Sequence, residues 1–134
     1  MFTYLHRIQL HHTDAYSIIF FANQLQFCHD AFQALLAQIG FPLPPTRQDV
    51  VTMLVIVHVE SDYQVPVHVG DVLTIQVCVK KMGTTSLVMS YILINQHGVQ
   101  VGTAQTVHVN IDTKTSAKAP LPDKMRQAFQ AHLI

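Results

Sequence analysis

The chain has 134 residues, the size of one ordinary domain and long enough to bury a real core. Nearly half of it (49%) is hydrophobic and only 12% is charged, with eight basic residues balancing eight acidic ones. That balance excludes the net positive field of a nucleic-acid or anionic-membrane binder, and so few charges on a small domain predict apolar surface that a second copy covers.

The two cysteines, Cys28 and Cys78, lie inside apolar periodic segments. Two do not make a disulfide framework, and buried free thiols fit a reducing compartment. The first residues lack the basic-then-apolar succession of a signal peptide, and no run of about 18 apolar residues exists to span a membrane. A cytoplasmic protein in a single domain, residues 1–134, is the expectation.

Residues 3–10 read as a strand of mixed faces, with Tyr4, His6, Ile8 and Leu10 on one side. His11 to Ser17 form a polar hinge that contains a lone carboxylate, Asp14. From Phe21 the spacing becomes helical. Phe21, Leu25, Cys28, Phe32, Leu35 or Leu36, and Ile39 recur every three or four residues, until Gly40 and Pro42 end the pattern. A helix of about 19 residues spans roughly 28 Å, enough to cross a sheet of four or five strands. Its N-terminus favours negative charge, so the segment reads equally as a core helix with a polar entry loop or as half of an active site.

Residues 41–49, dense in proline, predict a surface loop. The rest is nearly all strand. Val51 to Tyr63 is one long β-prone run, and Leu73, Ile75, Val77 and Val79 alternate with polar residues in the next. Ser86 to Asn95 is apolar enough to be covered on both sides. After the hairpin signal at Gln96-His97-Gly98, Val107, Val109 and Ile111 share one face of a last strand. The segment from Pro120 to His132 predicts a short helix with Met125, Phe129 and Leu133 on its apolar side. Strand, long helix and four further strands in an antiparallel meander make an α+β architecture: a sheet of about five strands wrapped around one helix. Two such sheets can join edge to edge.

Several strings in this order resemble a known family. His12-Thr13-Asp14-Ala15-Tyr16-Ser17-Ile18-Ile19-Phe20-Phe21-Ala22-Asn23 is similar to the pattern Asp-x-Asp-x-x-Gly-φ-φ-φ-φ-x-Asn (φ apolar) of the hot-dog fold, 4-hydroxybenzoyl-CoA thioesterase-like family. Pro66 to Leu73 resembles its Pro-x-x-x-Gly-Asp-x-Leu turn, and the strands after Ser86 and around Thr106-Val107-His108-Val109 resemble family counterparts. Leu25 to Phe32, Val57-His58 and Lys118 to Pro122 look most like the 1,4-dihydroxy-2-naphthoyl-CoA thioesterases of quinone biosynthesis. The likeness covers nearly the whole chain. Two positions depart from it: His12 replaces the first Asp, and Ser17 replaces a Gly, although Ser tolerates positive φ poorly.

The resemblance implies an acyl-CoA thioesterase acting on an aromatic acyl-CoA, such as 1,4-dihydroxy-2-naphthoyl-CoA or 4-hydroxybenzoyl-CoA, in a homodimer that pairs again into a tetramer. It implies Asp14 as nucleophile or general base and the Phe21 backbone amide as oxyanion donor. Without that family pattern, a capping or turn aspartate is the commoner role. Tyr16 and Ser17, beside Asp14, are candidate substrate contacts. His58 can hydrogen-bond an acyl hydroxyl or be a satisfied core histidine. Lys80 and Lys81 can meet coenzyme A phosphates or form a solvated turn. No cofactor is expected, since coenzyme A belongs to the substrate. His11 and His12 lack the spacing of a metal site, and no GxSxG elbow is present. The alternatives are a short- or medium-chain acyl-CoA thioesterase, a hydratase or dehydratase on the same fold, and a non-catalytic acyl-CoA-binding module.

Overall fold

The structure, a computed structural model, describes all of residues 1–134. Its elements in chain order are β1 (Phe2–Arg7), α1 (Phe21–Gln38), β2 (Thr52–Tyr63), β3 (Val72–Met82), β4 (Ser86–Ile94), β5 (Gln100–Asp112) and α2 (Asp123–Gln130), with 3-10 turns at Leu10–His12 and Arg47–Asp49. All five strands form one antiparallel sheet in the order β1-β3-β4-β5-β2.

Only β3, β4 and β5 form the expected meander. β2 runs beside β5, not β3, so residues 64–71 cross from the β2 edge past β5 and β4 to β3, the strand next to the opposite edge. On the way Val67 is buried, and its carbonyl accepts at 2.9 Å the N–H of Ile19 in the loop before α1. β1 ends at Arg7, and beyond it Leu10 turns outward, 76% exposed, because the 3-10 turn breaks the strand alternation.

The 18 residues of α1 extend about 27 Å across the sheet. Phe27, Cys28, Ala31, Phe32, Leu35 and Leu36 pack on Leu73, Ile75, Val77 and Val79 of β3 and on Leu87, Met89, Tyr91 and Leu93 of β4. Phe21 does not join them. Its ring is 64% exposed, because the first turn of α1 overhangs the sheet at the β2 edge. On β5 the face toward α1 is Ala104, Thr106, His108 and Asn110, all buried, while Val107, Val109 and Ile111 turn to the outer face and are half-buried. The alternation was readable but the polar side is the covered one. β4 likewise has one fully buried and one half-buried face.

The buried polar stripe is internally bonded. Thr106 Oγ1 lies 2.9 Å from Tyr91 Oη and 2.8 Å from His108 Nε2, and the His108 ring stacks on Phe32 with centroids 4.4 Å apart. Burial, and secondarily His29, pulls the His108 pKa down to about 4. Between that value and the ordinary 6.5, the unfolded chain binds a proton that the folded chain refuses. Stability is therefore complete above about pH 6.5 and falls as the pH drops toward 4, by about 3 kcal/mol from this residue. Urea unfolding at a series of pH values should show this slope, and His108→Gln should flatten it.

Candidate active site at the N-terminus of the long helix

The segment between β1 and α1 is a chain of tight turns. Leu10–His12 is closed by hydrogen bonds from His12 N–H to Gln9 O and from Thr13 N–H to Leu10 O, both 3.0 Å. His12, where the family pattern has Asp, accepts the Gln9 N–H on Nδ1 at 2.9 Å and packs edge-on against Phe27. Burial and the neighbouring His11 and His6 hold its pKa down, so it serves the turn as a neutral ring. The rings of His11 and His12 are 4.1 Å apart, yet no group of three His, Cys, Asp or Glu side chains is placed to hold a metal ion.

Thr13 and Ile19 then pair as a one-bridge hairpin around Asp14. Ser17 N–H donates to Asp14 O at 3.0 Å, Asp14 N–H donates to Ile18 O at 3.1 Å, and Ser17 takes φ +64°. This is the bonding of a three-residue loop closed by a left-handed residue, where glycine is the ordinary choice. Ser17 thus keeps the backbone of the pattern it departs from, at a cost of about 1 kcal/mol. The loop also fixes the carboxylate. Tyr16 N–H donates to Asp14 Oδ1 at 2.9 Å, while Oδ2 carries no hydrogen bond from the chain.

Helix α1 starts directly after this loop. The carbonyl of His12 accepts both Phe20 N–H, at 2.9 Å, and Asn23 Nδ2, at 2.8 Å, and Asn23 N–H turns back to Phe20 O at 2.9 Å. These bonds leave the Phe21 N–H, the first of the helix, without an acceptor in the chain. Its N-cap, Phe20, offers no side-chain cap, and the first turn contains no acidic residue. The positive end of the helix is therefore uncompensated and open to an anion. A cleft of about 260 Å³ lies beside it, lined by Ile18, Phe21, Gln24, Tyr63 and Val65 among others.

Asp14, Tyr16, Ser17 and the Phe21 amide are thus brought into one loop–helix junction, with Tyr16 and Ser17 exposed. His58, Lys80 and Lys81 are not. His58 sits after a bulge in β2, opposite Val107 on the outer face, with Nε2 3.0 Å from Glu60 Oε1. It is exposed, so it is not a core histidine, and its hydrogen-bond partner is Glu60. Lys80 and Lys81 are exposed at the far end of β3, whose near end adjoins the loop through Ile8 N–H and Asp71 O. Lys80 Nζ donates to Gln105 Oε1 at 2.8 Å. Cys28 is buried, which pushes its thiol up to about 12 and removes it from nucleophilic chemistry.

Two residues at the junction escape the sequence reading. Tyr63 Oη donates to Phe21 O at 2.6 Å, and Gln24 is buried under the first turn. Gln24 carried a signal: it stands four residues before Cys28 and seven before Ala31, a polar side chain on the apolar stripe of the helix.

A single long helix packed across one five-stranded antiparallel sheet is the hot-dog architecture, and here the turn that leads into that helix carries a carboxylate. The profile of the thioesterase-like superfamily matches residues 8–129, and the chain belongs to that family of thioester hydrolases. It is similar to a 1,4-dihydroxy-2-naphthoyl-CoA hydrolase of Synechococcus elongatus, 34% identical over 119 residues that cover 88% of this chain and 87% of the relative. A second hydrolase of that name, from Nostoc punctiforme, is 32% identical over 98% of this chain and 88% of its own. Among solved structures, a 1,4-dihydroxy-2-naphthoyl-CoA thioesterase from Synechocystis superposes with a TM-score of 0.90 at 28% identity, covering 96% of this chain and 95% of the other.

The strain at Ser17 gives a direct expectation. Ser17→Gly should raise stability by up to about 1 kcal/mol, and Ser17→Val, β-branched in a left-handed site, should lower it by more. Chemical denaturation of the two variants beside the wild type measures both.

Proposed function

We propose that the protein hydrolyses an aromatic acyl-CoA to the free acid and coenzyme A, with 1,4-dihydroxy-2-naphthoyl-CoA as the favoured substrate. The observation that carries this reading is the unspent Phe21 N–H at an uncapped helix N-terminus, one tight turn from the Asp14 carboxylate. The thioester carbonyl oxygen points at that amide, which stabilises the negative charge as the tetrahedral intermediate forms. Asp14 acts on the carbonyl carbon in one of two ways. It attacks directly, expelling the coenzyme A thiolate and leaving an anhydride that water cleaves, or it takes a proton from a water that attacks. The favoured acyl group follows from the relatives, whose names carry that activity over most of the chain.

The site is completed by a second copy in this reading. β2 is an edge strand of twelve residues bordered only by β5, and Ile56, Val57 and Val59 along it are 44%, 57% and 43% exposed. Such an apolar edge invites pairing. Antiparallel pairing with its own copy about the middle of β2 sets the Tyr63 end of one strand against the Thr52 end of the other. The N-terminus of α1 lies at the first end, through Tyr63 and Phe21. At the second end lies a cleft of about 600 Å³ whose walls include Leu36, Phe41, Leu43, Met53 and Met125. The acyl group of one protomer's substrate is thereby offered the apolar cleft of its partner. Pairing of two dimers and coenzyme A contacts from Lys80 and Lys81 extend the same reading. No helix is long and apolar enough to cross a membrane, and two free thiols, Cys28 and Cys78, support a cytoplasmic setting.

The test follows free thiol while purified protein meets a panel of aromatic and straight-chain acyl-CoAs. Aromatic substrates should give the highest kcat/KM, and Asp14→Asn should lower kcat by about 10²–10⁴-fold. Full activity in that variant, or no thiol released from any substrate, overturns the proposal. Sedimentation should show a dimer or larger, and a strict monomer would remove the interfacial pocket.

A further inference from the structure

We propose that Gln24 is a positioning residue, fixing the first turn of α1, and with it the Phe21 N–H, against the end of the β2–β5 pair. The inference rests on the reading of that amide as the oxyanion donor. The first turn is not held by apolar packing, since Phe21 is exposed and so is Ala22. Gln24 is the one fully buried side chain in it, at 1% exposure, and the one buried polar residue of α1.

Its orientation is forced by its surroundings. Nε2 lies 2.9 Å from Ser61 Oγ, 2.9 Å from Asp62 O and 3.4 Å from Thr103 O. Two of these are backbone carbonyls, which only accept, so the donating nitrogen must face them. The amide thus bridges β2 and β5 where the two strands end. It also lies almost on the backbone of Gly102. A Cβ there would fall 2.6 Å from Gln24 Oε1, 2.8 Å from Gln24 Nε2 and 2.8 Å from Asp62 O, so any larger residue would evict the amide. A leucine would fill this site without the cost of burying an amide. What the amide adds is a fixed distance. An apolar side chain can slide along a strand, whereas an amide held by acceptors on two strands cannot. An oxyanion donor needs that restriction, because a misplacement of about 1 Å costs about 10²-fold in rate.

Steady-state kinetics with the best aromatic acyl-CoA, run beside wild type and Asp14→Asn, separates this role from a merely structural one. Gln24→Leu, close in volume, should stay folded and lose about 10- to 100-fold in kcat with KM within about threefold. Gly102→Ala should give the same pattern. In Gln24→Glu an ionised carboxylate has no proton to offer the two carbonyls. Protonated, it can donate to one of them. The ratio of its kcat to that of the wild type should therefore climb as the pH falls from about 8 to about 5.5. Of the residues hydrogen-bonded to this amide only Asp62 is titratable, and it contributes its backbone carbonyl, while the Tyr63 hydroxyl in the same cleft is bonded to Phe21 O. Wild-type kcat in Gln24→Leu, a loss confined to KM, or a flat pH ratio overturns the proposal. If the wild type itself turns over no substrate, the catalytic reading fails separately. The positioning claim is then read from amide hydrogen exchange, where Gln24→Leu should speed exchange at Phe20 and Asn23, whose N–H groups are bonded to His12 O and Phe20 O, at least tenfold, and unchanged exchange overturns it.

Discussion

One backbone carbonyl, that of His12, holds the site together. It accepts the Phe20 N–H and the Asn23 side chain at once, so the turn that carries Asp14 and the helix that carries the Phe21 amide share a single anchor. A helix N-terminus normally spends its free N–H groups on a side-chain cap or on water. Here the N-cap is a phenylalanine and the bonds come from the preceding turn, whose His12 carbonyl takes the Phe20 N–H and the Asn23 side chain and leaves the Phe21 N–H free. The same constraint explains why Ser17 endures a left-handed backbone. Relaxing it would open the hairpin at Thr13 and Ile19 and move the carboxylate relative to the helix.

The electrostatics follow from that geometry rather than from charge. No acidic residue stands in the first turn of α1 and no lysine or arginine stands beside Asp14 in the loop. In the proposed reaction, the polarity offered to the thioester carbonyl is that of the helix backbone. Such a dipole is already oriented before substrate arrives and costs no reorganisation during the reaction. Tyr63 Oη, bonded to Phe21 O, ties the carbonyl of the same residue to β2, so both the loop and the sheet edge act on one helical turn.

Much of this was legible in the residues. The 3.6-residue period from Phe21 to Ile39 located the helix to within a residue, and the Gly40–Pro42 stop located its end. Alternation placed β3 correctly because its two faces differ in polarity. It misled on β5, where Thr106, His108 and Asn110 face the helix. Periodicity records which residues share a face, and it cannot record that a polar face is covered when those residues bond one another. Strand order was likewise beyond reach. The β2–β3 connection looks like any short turn in sequence, and only the pairing of β2 with β5, with Val67 buried against the loop before α1, shows it to be a crossing. Asp14 and Phe21 were proposed from a family pattern, while Gln24 and Tyr63 escaped notice because their contacts depend on strands about 40 and 80 residues away being brought to the helix.

The strand order also bears on how the chain reaches this state. β3, β4 and β5 are consecutive hairpins with short connections, whereas β1 and β2 take opposite outer edges of the sheet and α1 lies across all of it. Contacts between neighbours in sequence form quickly, and those that must close long loops form late. The C-terminal meander is then the platform on which the first half of the protein assembles. During synthesis the residues of the loop–helix junction emerge before the meander and wait, with an apolar helix and an unpaired edge strand, for a sheet that has not yet been made. A chaperone that shields residues 18–39 in that interval would protect the part of the protein with the most to lose from pairing too early.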